Sequence, residues 1–278
     1  MSAEIALTPL TPFLGARLHD VRLQDINDAA DRRQFMALVH KHQVVVVPGQ
    51  KLDPDELIDL ANWLGKIDLG YPAEYRLPGH PEIFVISNLK KDGKQIGSTT
   101  NGQTWHTDGI YTPKPITFTM LYTLESPRVG GETAFTSTCA AYDSLSEETK
   151  ERIENLSCIH SYEYNYSRRP NAPPMTAEMK QRFPEIRQPL VKPHPVTGRK
   201  GLFMTGSTLV RVEGLNGDVD RRIVDDLIDY ATAERFVYRH HAEPGDFIIW
   251  DNAGTMHSAT PYDMANERRL VYRIMTTD

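Results

Sequence analysis

The sequence predicts a β-rich α+β protein, in which an antiparallel sandwich or barrel of short strands has a few helices packed outside it. Two observations indicate this class. Short runs of β-branched and aromatic residues recur along the chain and are separated by turns that contain glycine and proline. Segments with the helical spacing of apolar residues are few, and neither a repeat nor a linker divides the chain. Residues 1–278 are therefore expected to form a single domain.

The N-terminal part of the chain reads as strand, helix, strand and helix. Residues 15–18 have the pattern of a short strand, and residues 31–40 place their apolar side chains on one helical face. The four consecutive valines at 44–47 predict a fully buried strand. Asp53 is a favourable N-cap and Pro54 a favourable first residue, so a second helix is expected to begin there.

Loops dominate the next segment. Glycine and proline interrupt residues 69–102 repeatedly, apart from one apolar strand at 83–87, and such irregular segments often carry binding residues. Alternating side chains predict a strand at 116–124, and a second strand at 133–136 follows a Gly-Gly turn. Residues 142–155 have the spacing of a helix.

The C-terminal part adds one helix and several strands. Residues 165–183 contain three prolines and predict a mobile excursion. This excursion and residues 69–102 are expected to form lids over a ligand-binding site. An amphipathic helix is expected at 218–232. Strands are predicted at 201–204, 236–240, 247–250 and 270–275.

The composition argues against several classes of function. A net charge of −6 without a dominant basic patch argues against a nucleic-acid partner. Two cysteines without a CxxC spacing exclude a disulfide framework and a cysteine-based zinc site. The sequence shows no signal peptide and no apolar run of the roughly 20 residues that cross a bilayer. We therefore expect a cytoplasmic protein without a membrane partner.

Three residues far apart in the chain predict an iron site. His106 and Asp108 form a His-x-Asp pair, and His257 follows much later, just after an apolar strand. Two imidazoles and one carboxylate bind non-haem Fe(II) on one face and leave other positions open for chemistry. On an extended strand, residues two apart point the same way, so His106 and Asp108 can reach one ion together. This ligand set indicates an oxygen-activating enzyme.

An arginine cluster follows the second histidine. A buried arginine offers a bidentate fork to a carboxylate, so Arg268 or Arg269 is expected to hold the far carboxylate of a keto acid that chelates the metal. The even spacing of Arg269 and Arg273 along one strand favours Arg269 over Arg268 for this role.

The chain resembles the family of Fe(II)/2-oxoglutarate-dependent dioxygenases that includes taurine dioxygenase and dichlorophenoxyacetate dioxygenase. The resemblance runs nearly from end to end and implies a double-stranded β-helix, or jelly-roll, core with flanking helices. The motifs that carry it are Trp105-His106-Thr107-Asp108, Gly130-Gly131-Glu132-Thr133, Trp250-Asp251-Asn252, His257 and Arg268-Arg269.

The resemblance also implies roles for individual residues. His106, Asp108 and His257 would bind Fe(II), and Thr133 and Arg269 would hold the distal carboxylate of 2-oxoglutarate. O2 would be the other cosubstrate, and succinate and CO2 would be released. No catalytic residue beyond the metal site is implied. A homo-oligomer is also typical of the family.

The implied substrate is a small or medium organic anion, such as a carboxylate, sulfonate, sulfate ester or amino acid. Arg273 and Lys94 match positions that contact substrate in family members, and Tyr71 lies in the loop that carries substrate residues there. Because Asp108 is present as a ligand, hydroxylation is favoured over halogenation. Desaturation and cleavage of a C–O or C–N bond are alternative outcomes.

Two other classes of function are open at this point. A metal-dependent hydrolase on a similar barrel would use the same ligands to bind Zn(II) and activate water, but it would leave the arginine and threonine without a role. A non-catalytic small-molecule binding module on this fold is the other alternative, and the intact ligand set argues against it.

Overall fold

The structure is a computed structural model that describes residues 5–70, 73–99, 102–168 and 173–278. Within these ranges the helices are α1 (Ala29–His42), α2 (Pro54–Leu64), α3 (Thr138–Asp143), α4 (Glu147–Ile153), α5 (Tyr162–Tyr166), α6 (Ala177–Arg182) and α7 (Arg222–Ala231).

The strands are short and numerous. In chain order they are β1 (Leu7–Pro9), β2 (Ala16–Leu18), β3 (Val44–Val47), β4 (Lys66–Asp68), β5 (Arg76–Leu77), β6 (His80–Ser87), β7 (Lys90–Lys91), β8 (Lys94–Gln95), β9 (Phe118–Glu125), β10 (Thr133–Ser137), β11 (Ser157–His160), β12 (Ile186–Pro189), β13 (Val191–Pro193), β14 (Lys200–Leu202), β15 (Leu209–Gly214), β16 (Gly217–Val219), β17 (Val237–His240), β18 (Phe247–Asp251), β19 (Thr255–Ala259) and β20 (Leu270–Thr277).

Two sheets form the core of the protein. The large sheet has the order β1-β2-β3-β18-β9-β20-β6-β5, and β4 also pairs with β20. Its pairs are antiparallel except for β2 with β3. The smaller sheet has the order β17-β10-β19, and Phe135 of β10 shares one buried cluster with Val46, Ile248 and Trp250 of the large sheet. This sandwich is the β-rich α+β arrangement that the sequence predicts.

The large sheet is buried on both faces, which explains its run of valines. Val44 and Val46 belong to the inner cluster that faces the small sheet, whereas Val45 and Val47 belong to the outer cluster. This alternation arises because successive side chains of a strand point to opposite faces. The outer cluster is completed by helix residues such as Phe35 of α1 and the predicted inward residues of α2, which are Leu57, Leu60, Ala61 and Leu64.

Local signals set the start of α2 where the sequence predicts it. The Asp53 side chain accepts a hydrogen bond from the Glu56 backbone N–H, and the Glu56 side chain accepts one from the Asp53 N–H. This capping box satisfies two backbone donors that a helix start leaves unpaired. Pro54 fits directly after the cap, because the first helical position needs no N–H donor.

Several elements differ from the predictions. The expected helix at 142–155 is two helices, α3 and α4, because Ser146 caps the second by accepting from the Thr149 N–H. The helix expected at 218–232 begins only at Arg222, because residues 217–219 pair with β15 as strand β16. The sequence also did not predict the sheet β12-β11-β15-β16 or strand β19. In the described part of the chain, no helix is long and apolar enough to cross a membrane.

Candidate active site

His106 and His257 face each other across an isolated β-bridge. The backbone N–H of His106 donates to the His257 carbonyl oxygen at 3.0 Å, and that of His257 donates to the His106 carbonyl oxygen at 2.9 Å. The two ring centroids consequently lie 4.1 Å apart. Strand β19 holds His257 in place by pairing it with Phe135 of β10. The bridge brings together two histidines that are far apart in the sequence.

Asp108 completes the cluster with these two rings. Its Oδ1 lies 3.6 Å from His106 Nε2, and its Oδ2 lies 3.5 Å from His257 Nε2. One candidate ligand atom from each residue lies within 4.8 Å of the others. This spacing allows all three side chains to reach one cation.

The local backbone at Asp108 differs from the prediction. His106 and Asp108 do not share a regular strand, because His106 forms only the bridge and a turn begins at Asp108. Gly109 makes this turn at a φ of 65°, and a Cβ there would lie 2.8 Å from the backbone nitrogen of Ile116. A turn, rather than the expected strand, therefore brings the His106 and Asp108 side chains to the same side.

The electrostatics of the cluster suit a divalent cation. Burial raises the pKa of the Asp108 carboxyl, but the neighbouring His257, His106 and Arg273 outweigh burial and hold that pKa well below its ordinary value. Burial lowers the pKa of His257 to about 3, and repulsion from His106 acts in the same direction. An ionised carboxylate and a neutral imidazole are the forms in which these groups bind metals.

The orientation of the rings also fits a metal. His106 Nδ1 lies 2.7 Å from the Thr104 carbonyl oxygen, which can only accept, so Nδ1 carries a proton and Nε2 is the ring nitrogen that can face a metal. His257 Nδ1 is buried without a hydrogen-bond partner among the described residues, against the rings of Trp250 and Phe135. Both histidines thus direct Nε2 towards Asp108, and the donor set fits Fe(II).

Arg269 is a buried cation whose backbone is firmly held. It is 9% exposed, its N–H donates to Asn88 Oδ1 at 2.9 Å, and its carbonyl accepts from Ser87 Oγ at 2.8 Å. Within the described ranges its guanidinium has no ion pair, and it lies 5.9 Å from the ring centroid of Tyr262. Burial lowers the pKa of Arg269. Such a group is suited to bind the carboxylate of a small molecule.

Thr133 lies on the strand next to the one that carries His257. Phe135 is opposite His257 and Thr133 is opposite Ala259, so Thr133 is about 7 Å along the strand from the residue that faces His257. The turn that leads into Thr133 contacts Tyr262, which pairs with Gly130. The turn before Thr133 and the Arg269 guanidinium therefore both lie close to Tyr262.

Arg268 points the other way. Its side chain is 67% exposed, and its Nε and Nη2 donate to the Glu125 carboxylate at 2.6 and 3.0 Å. A carboxylate partner on the protein surface already occupies this guanidinium. Of the two arginines that the sequence leaves open, Arg269 has the environment of a ligand-binding residue.

Arg273, on β20, lies close to the cluster formed by His106, Asp108 and His257. Its charge contributes to the pKa of His106, Asp108 and His257. Its Nε is buried and has no hydrogen-bond partner in the described part of the chain, and its guanidinium carbon lies 4.4 Å from the ring centroid of Phe84. An arginine with a buried, unused donor next to the candidate iron site can receive an anion.

A cleft of about 1410 Å³ gives access to this group of residues. His106, Asp108 and Arg273 line it, and so do residues from both irregular segments that the sequence places over the site, among them Gly70 and Phe183. Three aromatic side chains form part of the wall. The ring centroids of Tyr162 and Phe183 lie 4.6 Å apart, and the ring of Tyr111 packs against both.

Of the two other predicted substrate residues, Lys94 and Tyr71, only Lys94 belongs to the described part of the chain. Lys94 is exposed in the β7–β8 hairpin, where it pairs with Lys91, and it does not line the cleft among the described residues. Tyr71 lies outside the described residues. A substrate contact by either residue stays a prediction without support from the structure.

A second group of histidine and aspartate, made of His40, His194 and Asp251, has another explanation. Asp251 Oδ2 lies 2.6 Å from His40 Nδ1 and 2.8 Å from His194 Nε2. The backbone N–H groups of Val196 and Thr197 donate to His194 Nδ1, so its Nε2 must carry the proton. A protonated Nε2 cannot bind a metal. The group is a buried hydrogen-bonded triad that ties α1 and the β13–β14 turn to the end of β18.

Sequence reasoning missed the residues that surround Asp108. Thr119 Oγ1 donates to Asp108 Oδ2 at 2.8 Å, and Asn252 Oδ1 accepts from the Asp108 N–H at 3.3 Å. Thr119 had a detectable signal, because it is a polar residue in the apolar strand at 118–122. Asn252 belongs to a motif that the sequence singled out, but its partner could not be deduced, since 133 residues separate it from Thr119.

Comparison with known proteins gives one consistent result. Residues 6–275 match the family described as "Taurine catabolism dioxygenase TauD, TfdA family". The alpha-ketoglutarate-dependent 2,4-dichlorophenoxyacetate dioxygenase of Cupriavidus pinatubonensis is 30% identical over 277 residues, covering 96% of this chain and 96% of that protein. The alpha-ketoglutarate-dependent sulfate ester dioxygenase of Pseudomonas putida is 29% identical over 282 residues, covering 98% of this chain and 89% of that protein.

Solved structures agree. The crystal structure of AAD-2 in complex with Mn(II) and N-oxalylglycine is similar with a TM-score of 0.80 and 28% identity, and the match covers 99% of this chain and 98% of that one. A taurine dioxygenase from Burkholderia xenovorans has a TM-score of 0.80 and 25% identity, covering 98% of this chain and 89% of that one. The jelly-roll core expected from the sequence is confirmed.

Proposed function

The chain belongs to the taurine catabolism dioxygenase TauD, TfdA family, and we propose that His106, Asp108 and His257 are its Fe(II) ligands. The protein is a 2-oxoglutarate-dependent non-haem iron dioxygenase that uses Fe(II), 2-oxoglutarate and O2. The observation that carries the ligand proposal is the buried approach of two Nε2 atoms and one carboxylate, all within 4.8 Å. The hydrolase and binding-module alternatives have no comparable support.

We propose that Arg269 and Thr133 hold the distal carboxylate of 2-oxoglutarate. The support for Arg269 is its burial at 9% exposure without an ion pair among the described residues, because a cation in that setting gains most from a carboxylate partner. The support for Thr133 is its place two residue pairs away from His257, on the same face of the small sheet. A threonine hydroxyl can add one hydrogen bond to a carboxylate that an arginine already binds.

The bound metal and 2-oxoglutarate supply the oxidant for the reaction, with release of succinate and CO2. The protein residues have to place a C–H bond of the substrate and keep water away from it. The aromatic wall of the cleft, which includes Tyr111, Tyr162 and Phe183, supplies apolar surface for this purpose. His106 and Asp108 line the same cleft, so a molecule bound there lies next to the proposed iron ligands.

The substrate is a small organic anion, and we propose that Arg273 binds its charged group. The buried Nε of Arg273, which has no hydrogen-bond partner among the described residues, supports this role. Carboxylates and sulfate esters are the leading classes, because relatives named for 2,4-dichlorophenoxyacetate and for sulfate esters align along most of the chain. Sulfonates and amino acids are less favoured members of the same set. Hydroxylation is the proposed outcome, with desaturation or C–O or C–N cleavage as variants.

Three further properties belong to the proposal. We propose a homo-oligomer from the family resemblance, and a cytoplasmic location because the two free cysteines, Cys139 and Cys158, suit a reducing compartment. A single domain over residues 1–278 rests on the absence of a linker in the sequence. Size-exclusion chromatography with light scattering tests the oligomer, and limited proteolysis tests the single domain.

The experiment that tests the reaction measures whether a candidate substrate increases the turnover of 2-oxoglutarate. The protein is incubated with Fe(II), 2-oxoglutarate and O2 and with one anion at a time: phenoxyacetate, an alkyl sulfate and an alkyl sulfonate. We expect at least one anion to raise succinate formation above the rate without substrate, with a product that mass spectrometry identifies as hydroxylated or cleaved. Asp108→Ala serves as the control that should abolish both signals. Equal succinate formation by that variant would refute the ligand assignment.

A further inference from the structure

We infer that Thr119 and Asn252 are positioning residues that hold the Asp108 carboxylate in one orientation for the metal. This inference rests on the proposed role of Asp108 as an iron ligand. Thr119 is fully buried and Asn252 is 1% exposed, and neither lines the cleft among the described residues. Their effect on the site must therefore be exerted through Asp108.

The sheet brings the two residues together. Thr119 of β9 lies directly opposite Trp250 of β18, and Asn252 is the first residue after β18. The backbone N–H of Asn252 donates to the Thr117 carbonyl at 3.0 Å, so its backbone is fixed at the end of the strand pair. Thr119 points into the space between the two sheets, because its neighbour Met120 belongs to the outer cluster. Asp108 lies on that same inner side.

The hydrogen-bond partners determine which way the Asn252 amide points. Its Oδ1 lies 3.2 Å from Trp250 Nε1 and 3.3 Å from the backbone N of Asp108. Both of those groups can only donate, so the amide oxygen must face them. The amide NH2 group consequently faces Thr119, and Nδ2 donates to Thr119 Oγ1 at 3.0 Å.

This orientation in turn directs the hydroxyl proton of Thr119. Because Asn252 donates into Oγ1, the hydroxyl is free to give its own proton to Asp108 Oδ2, which lies 2.8 Å away. An ionised carboxylate can only accept, so this direction is the favourable one. The chain of donors runs from Asn252 through Thr119 to Asp108.

Asn252 therefore holds residue 108 at two points. It accepts from the backbone N–H of Asp108, and through Thr119 it fixes one oxygen of the carboxylate. A ligand carboxylate without such partners rotates about its terminal bond, and outer partners of metal ligands typically change metal affinity by 10- to 100-fold, as an order-of-magnitude estimate. The proposed role is to limit the carboxylate to the orientation in which it meets His106 and His257.

The first test removes only the hydroxyl. Thr119→Val keeps the shape of the side chain, and Thr119→Ser restores the hydroxyl. Thr123→Val is the matched control, because Thr123 is a buried threonine on the same face of β9, roughly 13 Å away along the strand. Binding is measured by titration with Co(II) alone, with the visible absorption of the bound ion as a record of its coordination. We expect Thr119→Val to raise the Kd by about 10- to 100-fold and to alter the spectrum.

The second test reverses the direction of the donors. Asn252→Asp keeps an oxygen for Trp250 and for the Asp108 N–H, but it places an acceptor where the amide NH2 faces Thr119. The Thr119 hydroxyl would then donate to residue 252 instead of Asp108. We expect a loss of Co(II) affinity similar to that of Thr119→Val, and a double variant no weaker than the worse single variant, because both changes remove the same bond.

The outcomes separate this inference from the proposed function. Weaker binding by Thr119→Val and Asn252→Asp, recovery by Thr119→Ser and no change in Thr123→Val support it, provided that all variants unfold near the wild-type temperature. If Asp108→Ala weakens Co(II) binding but Thr119→Val does not, the inference is wrong and the ligand proposal stands. If Asp108→Ala binds Co(II) as the wild type does, the ligand proposal is wrong and this inference falls with it.

Discussion

The pair Arg268 and Arg269 allows the cosubstrate site to be tested by two adjacent substitutions. Arg269 is 9% exposed and has no ion pair among the described residues, whereas Arg268 is mostly exposed and bound to Glu125. Arg269→Leu is expected to weaken 2-oxoglutarate binding strongly, and Arg268→Leu is expected to leave it nearly unchanged. Leucine fills much of the buried volume in the first case and avoids a large cavity.

The expected size follows from the environment of Arg269. A hydrogen bond to a charged group contributes about 1.5–3 kcal/mol, and a guanidinium can make two of them to one carboxylate. Their loss, roughly 3–6 kcal/mol, corresponds to a rise in Kd on the order of 100- to 10,000-fold, since about 1.4 kcal/mol is a factor of ten. The Arg268 change should stay within about twofold, because water and salt screen an exposed pair.

The assay is an anaerobic titration of the Fe(II)-loaded protein with 2-oxoglutarate, followed by calorimetry or by visible absorption. Thermal unfolding of both variants shows whether each is folded. The reasoning would be refuted if Arg269→Leu bound 2-oxoglutarate as tightly as the wild type. It would also be refuted if Arg268→Leu lost as much affinity as Arg269→Leu.

Two further predictions concern the substrate and the buried triad. Arg273→Leu is expected to raise the KM for the best anion of the panel by about 10- to 100-fold, because it removes the cation of the cleft that acts on the charges of His106 and Asp108, while the Kd for 2-oxoglutarate stays within about threefold. Steady-state kinetics measures the KM, the anaerobic titration measures the Kd, and an unchanged KM would exclude the contact. Asp251→Asn is expected to lower the free energy of unfolding by about 3 kcal/mol at neutral pH, because two histidine N–H groups lose a buried anionic acceptor. Burial raises the pKa of Asp251, but the hydrogen bonds from His194 and His40 outweigh burial and lower that pKa. The contribution of Asp251 to the free energy of unfolding is therefore complete above about pH 4, and it is lost only as the pH falls through the lowered pKa. Denaturant unfolding should therefore show the same loss of unfolding free energy in Asp251→Asn at about pH 7 and about pH 5. A loss that disappears by about pH 5 would contradict the role of the ionised Asp251 in the triad.

Elements with strong local signals could be predicted from the sequence. The valine run of β3 and the Asp53 cap of α2 are formed by residues that are adjacent in the chain, so the pattern alone indicates them. Strand β19 could not be found in this way. Its residues, Thr255–Ala259, mix polar and apolar side chains although nearly all of them are buried, so they lack the alternation of a half-buried strand. Its register is set by pairing with β10, which is more than a hundred residues earlier.

The candidate site shows the same division. His106, Asp108 and His257 could be named from residue type and order, and the structure brings them together. The even spacing of Arg269 and Arg273 favours Arg269 over Arg268 already in the sequence, but the pairing of Arg268 with Glu125 depends on a residue 143 positions earlier. The link from Asn252 through Thr119 to Asp108 depends on contacts across three segments, which no local pattern contains.

The most direct test of the central claim is an anaerobic titration of the metal-free protein with Fe(II) and then 2-oxoglutarate. If His106, Asp108 and His257 bind iron and a keto acid chelates it, one Fe(II) per chain should bind and a visible metal-to-ligand charge-transfer band should appear on addition of 2-oxoglutarate. His257→Ala should show neither at the same concentrations. Iron binding without the band, or an unchanged band in His257→Ala, would contradict the account.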